Sequence, residues 1–287
     1  MAISKDRSFR PSTTFRFFAY RDLKRTLGEI NAVVETAELA MRSFASQARL
    51  APNTDVFVRQ MSKTHGVKVD TLDLQASTRQ MNHYYIVSVH QHFESFLKAF
   101  KKEHPQNTWL DSDDNSLLKN VLSSFAPRNY NEMIEAIGRL ELDIADYYRN
   151  VRNAVAHGDD KNSVQSTLKL RSRVHAPATV YTRLSAPNPL AQTDFDDFIL
   201  FTRAVKHIAL ALCSVARPTD LQIVGMILLG NPTGRPGIDL GALEKKKRNP
   251  EAFYSALETL LRNRYGLDRS EAQPIIELLL SGSQALR

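Results

Sequence analysis

Two side chains near the middle of the chain could together handle a phosphate ester. Arg152 and His157 belong to the string Arg-Asn-Ala-Val-Ala-His-Gly, which ends at Gly158. An arginine binds phosphate through parallel N–H donors and keeps its charge, whereas a histidine gains and loses a proton near neutral pH. Neither step needs a metal ion. The pair is therefore a candidate phosphate-handling site, provided that helices hold the two side chains in place.

The motif lies at the end of a helical pattern that is predicted to run from Asn131 to His157. Its apolar residues recur at helical spacing and share one side: Ile134, Ile137, Ile144, Tyr148, Val151 and Val155. Gly158 follows at the position of a C-cap glycine. His157 would therefore reach solvent at the helix end. Asn153 adds an amide that can hold backbone or substrate oxygens.

Arg152 is predicted to lie within that apolar stripe, where it needs a partner because its charge cannot be removed. A preceding helix, predicted over residues 77–103, offers a carboxylate. The apolar stripe of that helix is formed by Ile86, Val89, Phe93, Phe96, Leu97 and Phe100. His83, His90 and Glu94 cluster at one edge of this stripe. We therefore expect Glu94 to orient Arg152, and His90 to line the same cleft.

Spacing alone does not make an arginine and a histidine functional, because Arg59 and His65 form a similar pair in the same chain. The longer string from Arg152 to Gly158, at a helix end, is more specific. His83 and His90 are two helical turns apart and cannot simply share one ion, so they are predicted to be ordinary polar residues. We expect no metal site and no cofactor.

The string Arg152-Asn153-Ala-Val-Ala-His157-Gly158 resembles the Arg-x4–6-His signature of HEPN domains, in its Arg-Asn-x-x-x-His form. The upstream segment His92-Phe93-Glu94-Ser-Phe-Leu97-Lys98 is similar to the first core helix of bacterial HEPN families, which often carries a glutamate there. The resemblance covers residues 77–217. It implies an all-α antiparallel bundle that commonly dimerises and places two motifs across one cleft.

Many HEPN proteins are metal-independent endoribonucleases of toxin–antitoxin, abortive-infection and other anti-phage systems. By this resemblance His157 would be the general acid or base at the ribose 2′-OH, and Arg152 would stabilise the attacked phosphate. Asn153 would support the geometry, and Glu94 would orient Arg152. Cleavage would leave a 2′,3′-cyclic phosphate and a 5′-OH, and DNA would resist. One motif per chain predicts a homodimer acting on RNA, with an antitoxin or defence-system protein as a possible partner.

Other classes of function remain open. Some HEPN proteins have lost catalysis, so the alternative is a silent scaffold that binds RNA, a nucleotide or a protein partner. A helical DNA-binding regulator is a third hypothesis, based only on the net charge of +7 and the pI of about 9.5. A basic run could contact an RNA backbone, although a solvated turn is the usual role of such a run: Lys245, Lys246, Lys247 and Arg248. Tyr130 and Tyr147 could stack on bases, whereas Tyr148 is predicted to be buried.

Helical periodicity predicts an all-α chain in three parts: an N-terminal helical extension over 1–76, the HEPN-like bundle over 77–217 and a C-terminal helical extension over 218–287. A long helix is expected from Phe15 to Leu50, and a loop or short strand over 53–76.

Three shorter features complete the prediction. Residues 163–190 are expected to form a hairpin-like excursion, because they contain β-branched residues and prolines. They precede a helix expected over 193–216. The last helix is predicted to begin with a capping box at Ser270–Gln273.

The composition is that of an ordinary globular protein, with 43% hydrophobic and 24% charged residues. Cys213 is the only cysteine, which excludes intrachain disulfides and thiolate zinc sites. The charged N-terminus lacks the apolar segment of a secretory signal. The most apolar run, near Ile223–Leu229, is far shorter than the roughly 20 residues of a membrane helix. We therefore expect a soluble cytoplasmic protein without membrane contact.

Overall fold

The computed structural model of the chain describes residues 13–69, 73–106, 109, 116–125, 130–158, 162–177, 179–229 and 249–285. All regular secondary structure in these ranges is helical, and they contain no strand. The prediction of an all-α fold is therefore confirmed. The basic run of Lys245, Lys246, Lys247 and Arg248 lies outside the described residues.

Eleven α-helices lie within the described ranges, and we number them in chain order. They are α1 (Phe18–Leu50), α2 (Thr54–His65), α3 (Leu74–Glu103), α4 (Leu117–Phe125), α5 (Tyr130–Ile137), α6 (Arg139–His157), α7 (Val164–Val174), α8 (Phe195–Val215), α9 (Asp220–Leu228), α10 (Pro250–Tyr265) and α11 (Arg269–Ala285). A short 3-10 helix, Leu190–Gln192, precedes α8. The long helices predicted from the strongest apolar stripes are confirmed as α1, α3 and α8.

Backbone contacts divide the chain into two compact units. Among the described residues, the first unit comprises residues 25–91 and 143–204, and the second comprises residues 13–24, 92–142 and 205–285. The boundaries fall inside α1, α3, α6 and α8. The predicted division into 1–76, 77–217 and 218–287 stays a prediction.

In the first unit, helix α2 replaces the loop or short strand that was predicted over residues 53–76. Asn53 caps its start, because Oδ1 of this residue accepts a hydrogen bond from the backbone N of Val56 at 3.0 Å. Gly66 ends it in the left-handed conformation, with φ +66°. Among its residues only Val58 is buried, so the helix carries almost no apolar stripe. The prediction was wrong because capping residues, rather than periodicity, mark this helix.

Helix α7 likewise replaces the hairpin-like excursion predicted over residues 163–190. Oγ of Ser163 accepts a hydrogen bond from the backbone N of Ser166 at 3.0 Å, which caps the helix start. The buried side of α7 consists of Thr167, Leu170 and Val174, at three- and four-residue steps. The β-branched residues that suggested a strand are therefore partly the buried side of a short helix.

In the second unit, Gly138 divides the helix that was predicted to be continuous from Asn131 to His157. Its φ is +106°, which favours glycine, and a Cβ at this position would meet the carboxylate of Glu141. Nε2 of His207 lies 2.9 Å from the carbonyl oxygen of Ile137, the last residue of α5. Helices α5 and α6 are therefore separate elements, and α6 begins at Arg139.

The second unit is closed by residues 13–17, which we call the N-terminal strap. Phe15 and Phe17 of the strap are fully buried. The ring of Phe15 stacks on Tyr265 with centroids 5.8 Å apart, and that of Phe17 meets Phe100 edge-on at 5.0 Å. Glu271 accepts hydrogen bonds from both strap threonines, including one from the backbone N of Thr14 at 2.8 Å. The strap thereby ties α3 to α10 and α11.

The C-terminal helices follow their capping residues. Asn249 is the N-cap of α10, since its Oδ1 accepts from the backbone N of Ala252 at 3.2 Å. The predicted start of α11 was wrong. Oδ1 of Asp268, not the Ser270 hydroxyl, accepts from the backbone N of Glu271 at 3.0 Å, and Ser270 itself donates to Asp268.

Helix α8 is the one described helix that is long and apolar enough to cross a membrane. The sequence had suggested the shorter run near Ile223–Leu229 as the most apolar, and most of that run belongs to the nine-residue helix α9. Of the apolar stretch in α8, 61% is buried inside the protein. Such burial is typical of the core helix of a soluble protein.

Candidate active site at the end of helix α6

Helix α6 has a buried side and an opposite polar side. Its buried residues are Ile144, Ala145, Tyr147, Tyr148, Val151 and Ala154. At about 100° per residue, four polar residues share an arc of about 80° on the other side: Asp146, Arg149, Asn153 and His157. We call these four residues the α6 polar stripe. All of them are exposed or half-buried.

The helix ends at His157, as the sequence predicted. Gly158 follows with φ +75°, and its backbone N donates to the carbonyl oxygen of Ala154 at 2.8 Å. A Cβ at Gly158 would meet no atom within 4 Å, so only the backbone conformation requires glycine here. His157 is exposed, and its imidazole is accessible to a ligand from solvent.

Arg152 lies at the edge of the buried side rather than within it, because it is half-buried. Its position is about 140° around the helix from that of His157. Nη1 of Arg152 donates a hydrogen bond to Oδ1 of Asn153 at 3.0 Å. Asn153 and His157 are one turn apart on the same side. This bond therefore turns the guanidinium toward Asn153 and the α6 polar stripe, to which His157 also belongs.

A buried carboxylate fixes α6 within the first unit. The hydroxyl of Tyr148 donates to Oδ1 of Asp197 at 2.7 Å, and both residues are fully buried. Asp197 also accepts from the backbone N and Nδ2 of Asn188 and from the backbone N of Asp194, each at 2.9 Å. Burial raises the pKa of Asp197 to about 6, even though these donors favour the charged form. Asp197 thus joins α8 to α6 through the Tyr148 hydroxyl, and to the segment before α8 through the other three donors.

A second set of hydrogen bonds anchors the segment that follows α6. The hydroxyl of Tyr147 donates to the carbonyl oxygen of Asn188 at 2.5 Å. Nδ2 of Asn162 donates to the carbonyl oxygen of Tyr147 at 3.1 Å, and Nδ2 of Asn150 lies 3.4 Å from Oδ1 of Asn162. Tyr147 is buried and so cannot stack on a base, contrary to the suggestion from the sequence. Tyr148 is buried as predicted.

The predicted supporting residues belong to α3. His90 is buried and lies in the first unit with Arg152 and His157. Glu94 is half-buried and lies in the second unit. The pairing of Glu94 with Arg152 would join the two units and stays a prediction. His83 bonds through Nε2 to the carbonyl oxygen of Leu190 at 3.0 Å.

Within the part of the chain that the structure describes, no three His, Cys, Asp or Glu side chains gather as a potential metal site. Comparison with protein-family models, with curated proteins and with solved structures finds no match to this chain. The candidate site therefore rests on the geometry of α6 and its neighbours.

Sequence reasoning missed Asp197 and Arg149. Asp197 stands one turn before Phe201 and joins the edge of the apolar stripe of α8, which is a detectable signal for a buried carboxylate. It was hidden by the neighbouring Asp194 and Asp196, because acidic residues are common in the first turn of any helix. Arg149 lies two turns before His157 and gave no signal of its own.

Proposed function

We propose that the protein is a metal-independent endoribonuclease of the HEPN type, acting as a toxin or anti-phage defence effector. The observation that supports it is the bond from Arg152 to Asn153, which holds a guanidinium beside the α6 polar stripe that ends at the exposed His157. A cation that holds a phosphate and an imidazole that moves a proton are the two groups that RNA transesterification needs.

In the proposed reaction the ribose 2′-oxygen attacks the adjacent phosphorus while the bond from phosphorus to the 5′-oxygen breaks. His157 takes the proton of the 2′-OH, or returns a proton to the departing 5′-oxygen. Arg152 neutralises charge on the non-bridging oxygens. Asn153 holds Arg152 through its oxygen and has an amide N–H left for a phosphate oxygen. The products are a 2′,3′-cyclic phosphate and a 5′-OH.

The proposal requires a homodimer. Attack and departure take place on opposite sides of the phosphorus, so one imidazole in one position cannot serve both as base and as acid. A second copy of the chain would supply the other histidine. Lys245, Lys246, Lys247 and Arg248 are the proposed contacts to more distant RNA phosphates, and an antitoxin or defence-system protein is a possible further partner.

The decisive experiment incubates purified protein with total RNA in the presence of EDTA. Wild type should cleave the RNA and leave cyclic phosphate ends, and His157→Ala should lower the rate by about two to four orders of magnitude. The chain offers a matched control. His65 is also exposed, also ends a helix, also precedes a glycine with positive φ and also follows an arginine, so His65→Ala should cleave like wild type.

Three outcomes separate the hypotheses. Equal cleavage by wild type and His157→Ala would refute the catalytic role. RNA binding without any cleavage would favour the silent HEPN scaffold. Preference for duplex DNA over RNA would favour a DNA-binding regulator. The dimer has its own test: because the reaction needs one histidine from each copy, dimers of one wild-type and one His157→Ala chain should cleave as poorly as His157→Ala alone, and an active strict monomer would contradict the requirement.

A further inference from the structure

The α6 polar stripe contains one arginine, Arg149, which the reaction above does not use. Arg149 is one turn before Asn153 on the same side of the helix. Its side chain is 26% exposed, and Nε and Nη2 both bond to Oδ1 of Asp146, at 3.1 and 2.8 Å. These bonds use two of the five guanidinium donors, and none of the described residues accepts the other three.

The end of α6 needs more than one cation to hold RNA. The last turn of a helix carries a partial charge of about −0.5, which repels a phosphate. With Arg152 alone, the net charge at this helix end would be only about +0.5. Arg149 adds a second positive charge on the side where Asn153 and His157 lie.

We infer that Arg149 binds the phosphate of the nucleotide next to the scissile one, so that the α6 polar stripe holds two consecutive phosphates of single-stranded RNA. This inference rests on the proposed ribonuclease function and adds a substrate-binding residue to it. A single strand fits because its backbone can follow the exposed side of one helix. Cleavage chemistry stays with Arg152, Asn153 and His157.

Asp146 affects how strongly Arg149 binds a phosphate. Its carboxylate is 49% exposed, and an exposed ion pair of this kind contributes little to stability, so a phosphate can displace it from Arg149. The carboxylate orients the guanidinium in the free protein and repels RNA at the same time. Two substitutions should therefore act in opposite directions: Arg149→Ala weakens RNA binding, and Asp146→Asn strengthens it.

The first unit contains a matched control pair. Arg173 of α7 bonds to Asp143 of α6 at 2.5 Å, and the two side chains are 43% and 50% exposed. Asp143 is one turn before Asp146 in sequence but lies outside the arc of the stripe. Arg173→Ala and Asp143→Asn change the same charges by the same amounts without touching the stripe.

The test measures the affinity of the full chain for a short 2′-O-methyl oligouridylate, which cannot be cleaved, over a range of salt concentrations. Loss of one phosphate contact on a single strand lowers the slope of log affinity against log salt by about 0.7. We expect this decrease for Arg149→Ala, a near wild-type slope for Arg149→Lys, tighter binding for Asp146→Asn, and no change for the two control variants.

A wild-type slope in Arg149→Ala, an equal loss in Arg173→Ala, or no binding by the wild type would each overturn the inference. Cleavage of unmodified RNA in EDTA is measured in parallel. There Arg149→Ala should raise KM and leave kcat nearly unchanged, because it removes binding shared by substrate and transition state. If the wild type binds through Arg149 and cleaves nothing, the ribonuclease proposal fails alone; if it cleaves and the slope is unchanged, only the Arg149 inference fails.

Discussion

Removal of one hydroxyl, in Tyr148→Phe, tests how helix α6 is held in place. Tyr148 is fully buried, and its hydroxyl donates to Oδ1 of Asp197 at 2.7 Å. Phenylalanine keeps the ring, which stacks on Phe201 with centroids 4.9 Å apart. The substitution therefore deletes one hydrogen bond and leaves the packing intact.

The expected loss follows from the charge of the acceptor. A hydrogen bond to a charged group contributes about 1.5–3 kcal/mol, whereas one between neutral groups contributes about 1 kcal/mol. Near neutral pH we expect Tyr148→Phe to lower the free energy of unfolding by about 2 kcal/mol. Tyr147→Phe is the control, because the hydroxyl of Tyr147 donates to a neutral carbonyl, and it should cost about 1 kcal/mol.

The cost should also depend on pH. Burial raises the pKa of Asp197 to about 6, above its ordinary value of 3.8, so the folded state binds this proton more tightly than the unfolded chain. The associated stability is present below the ordinary value and is lost as pH rises through about 6. In acid the acceptor is a neutral carboxyl group. The loss caused by Tyr148→Phe should therefore shrink toward about 1 kcal/mol as pH falls below 6.

Urea unfolding followed by circular dichroism, for both variants and the wild type at neutral and mildly acid pH, measures these quantities. The reasoning is refuted if Tyr148→Phe costs no more than Tyr147→Phe near neutral pH. It is also refuted if the cost is the same above and below the pKa of Asp197, because the charge of the acceptor would then play no part.

Four further substitutions test other elements by the same measurement. Gly138→Ala should lower the free energy of unfolding by about 2–4 kcal/mol, because φ is +106° and the new Cβ meets Glu141. Gly158→Ala, at φ +75° in open space, should lower it by about 1 kcal/mol. Equal losses would contradict the role of the contact with Glu141. Asn53→Ala should remove the cap of α2 and cost about 1 kcal/mol, and an unchanged stability would show that the cap is dispensable. Burial alone would raise the pKa of Glu271, but hydrogen bonds from the N-terminal strap lower it, so the stability that Glu271 contributes is present above its ordinary pKa of 4.5 and lost as pH falls through the folded value. Glu271→Gln should flatten this loss of stability in acid. An unchanged dependence of stability on pH would argue against the role of the strap.

Long apolar stripes were sufficient to predict the main helices. Residues such as Ile86, Phe93 and Phe100 recur over many turns of α3, so many independent positions agree on one period. Helices α2 and α7 are too short for such agreement. The sequence signals of these two helices are local: Asn53 caps α2 and Ser163 caps α7. Each cap is a single residue of a type that is equally common in turns.

Gly138 and Asp197 are two features that the periodicity of apolar residues could not have predicted. The apolar pattern continues across Gly138, because a change of backbone direction by one residue need not disturb the spacing of its neighbours. Asp197 is buried by residues distant in sequence, so its burial is a property of tertiary packing. At the candidate site, the end of α6 at His157 was predictable from Gly158, whereas the turn of Arg152 toward Asn153 depends on one side-chain hydrogen bond.

The burial of Cys213 makes the protein ready for site-directed labelling. This thiol is fully buried, and burial raises its pKa to about 12, so it has almost no thiolate with which to attack a maleimide. A cysteine introduced at an exposed position of α6, as in Ala156→Cys, would then be the one reactive thiol of the folded chain. Spin labels attached there would show whether two copies of the chain bring their α6 helices together in solution, without removal of the natural cysteine.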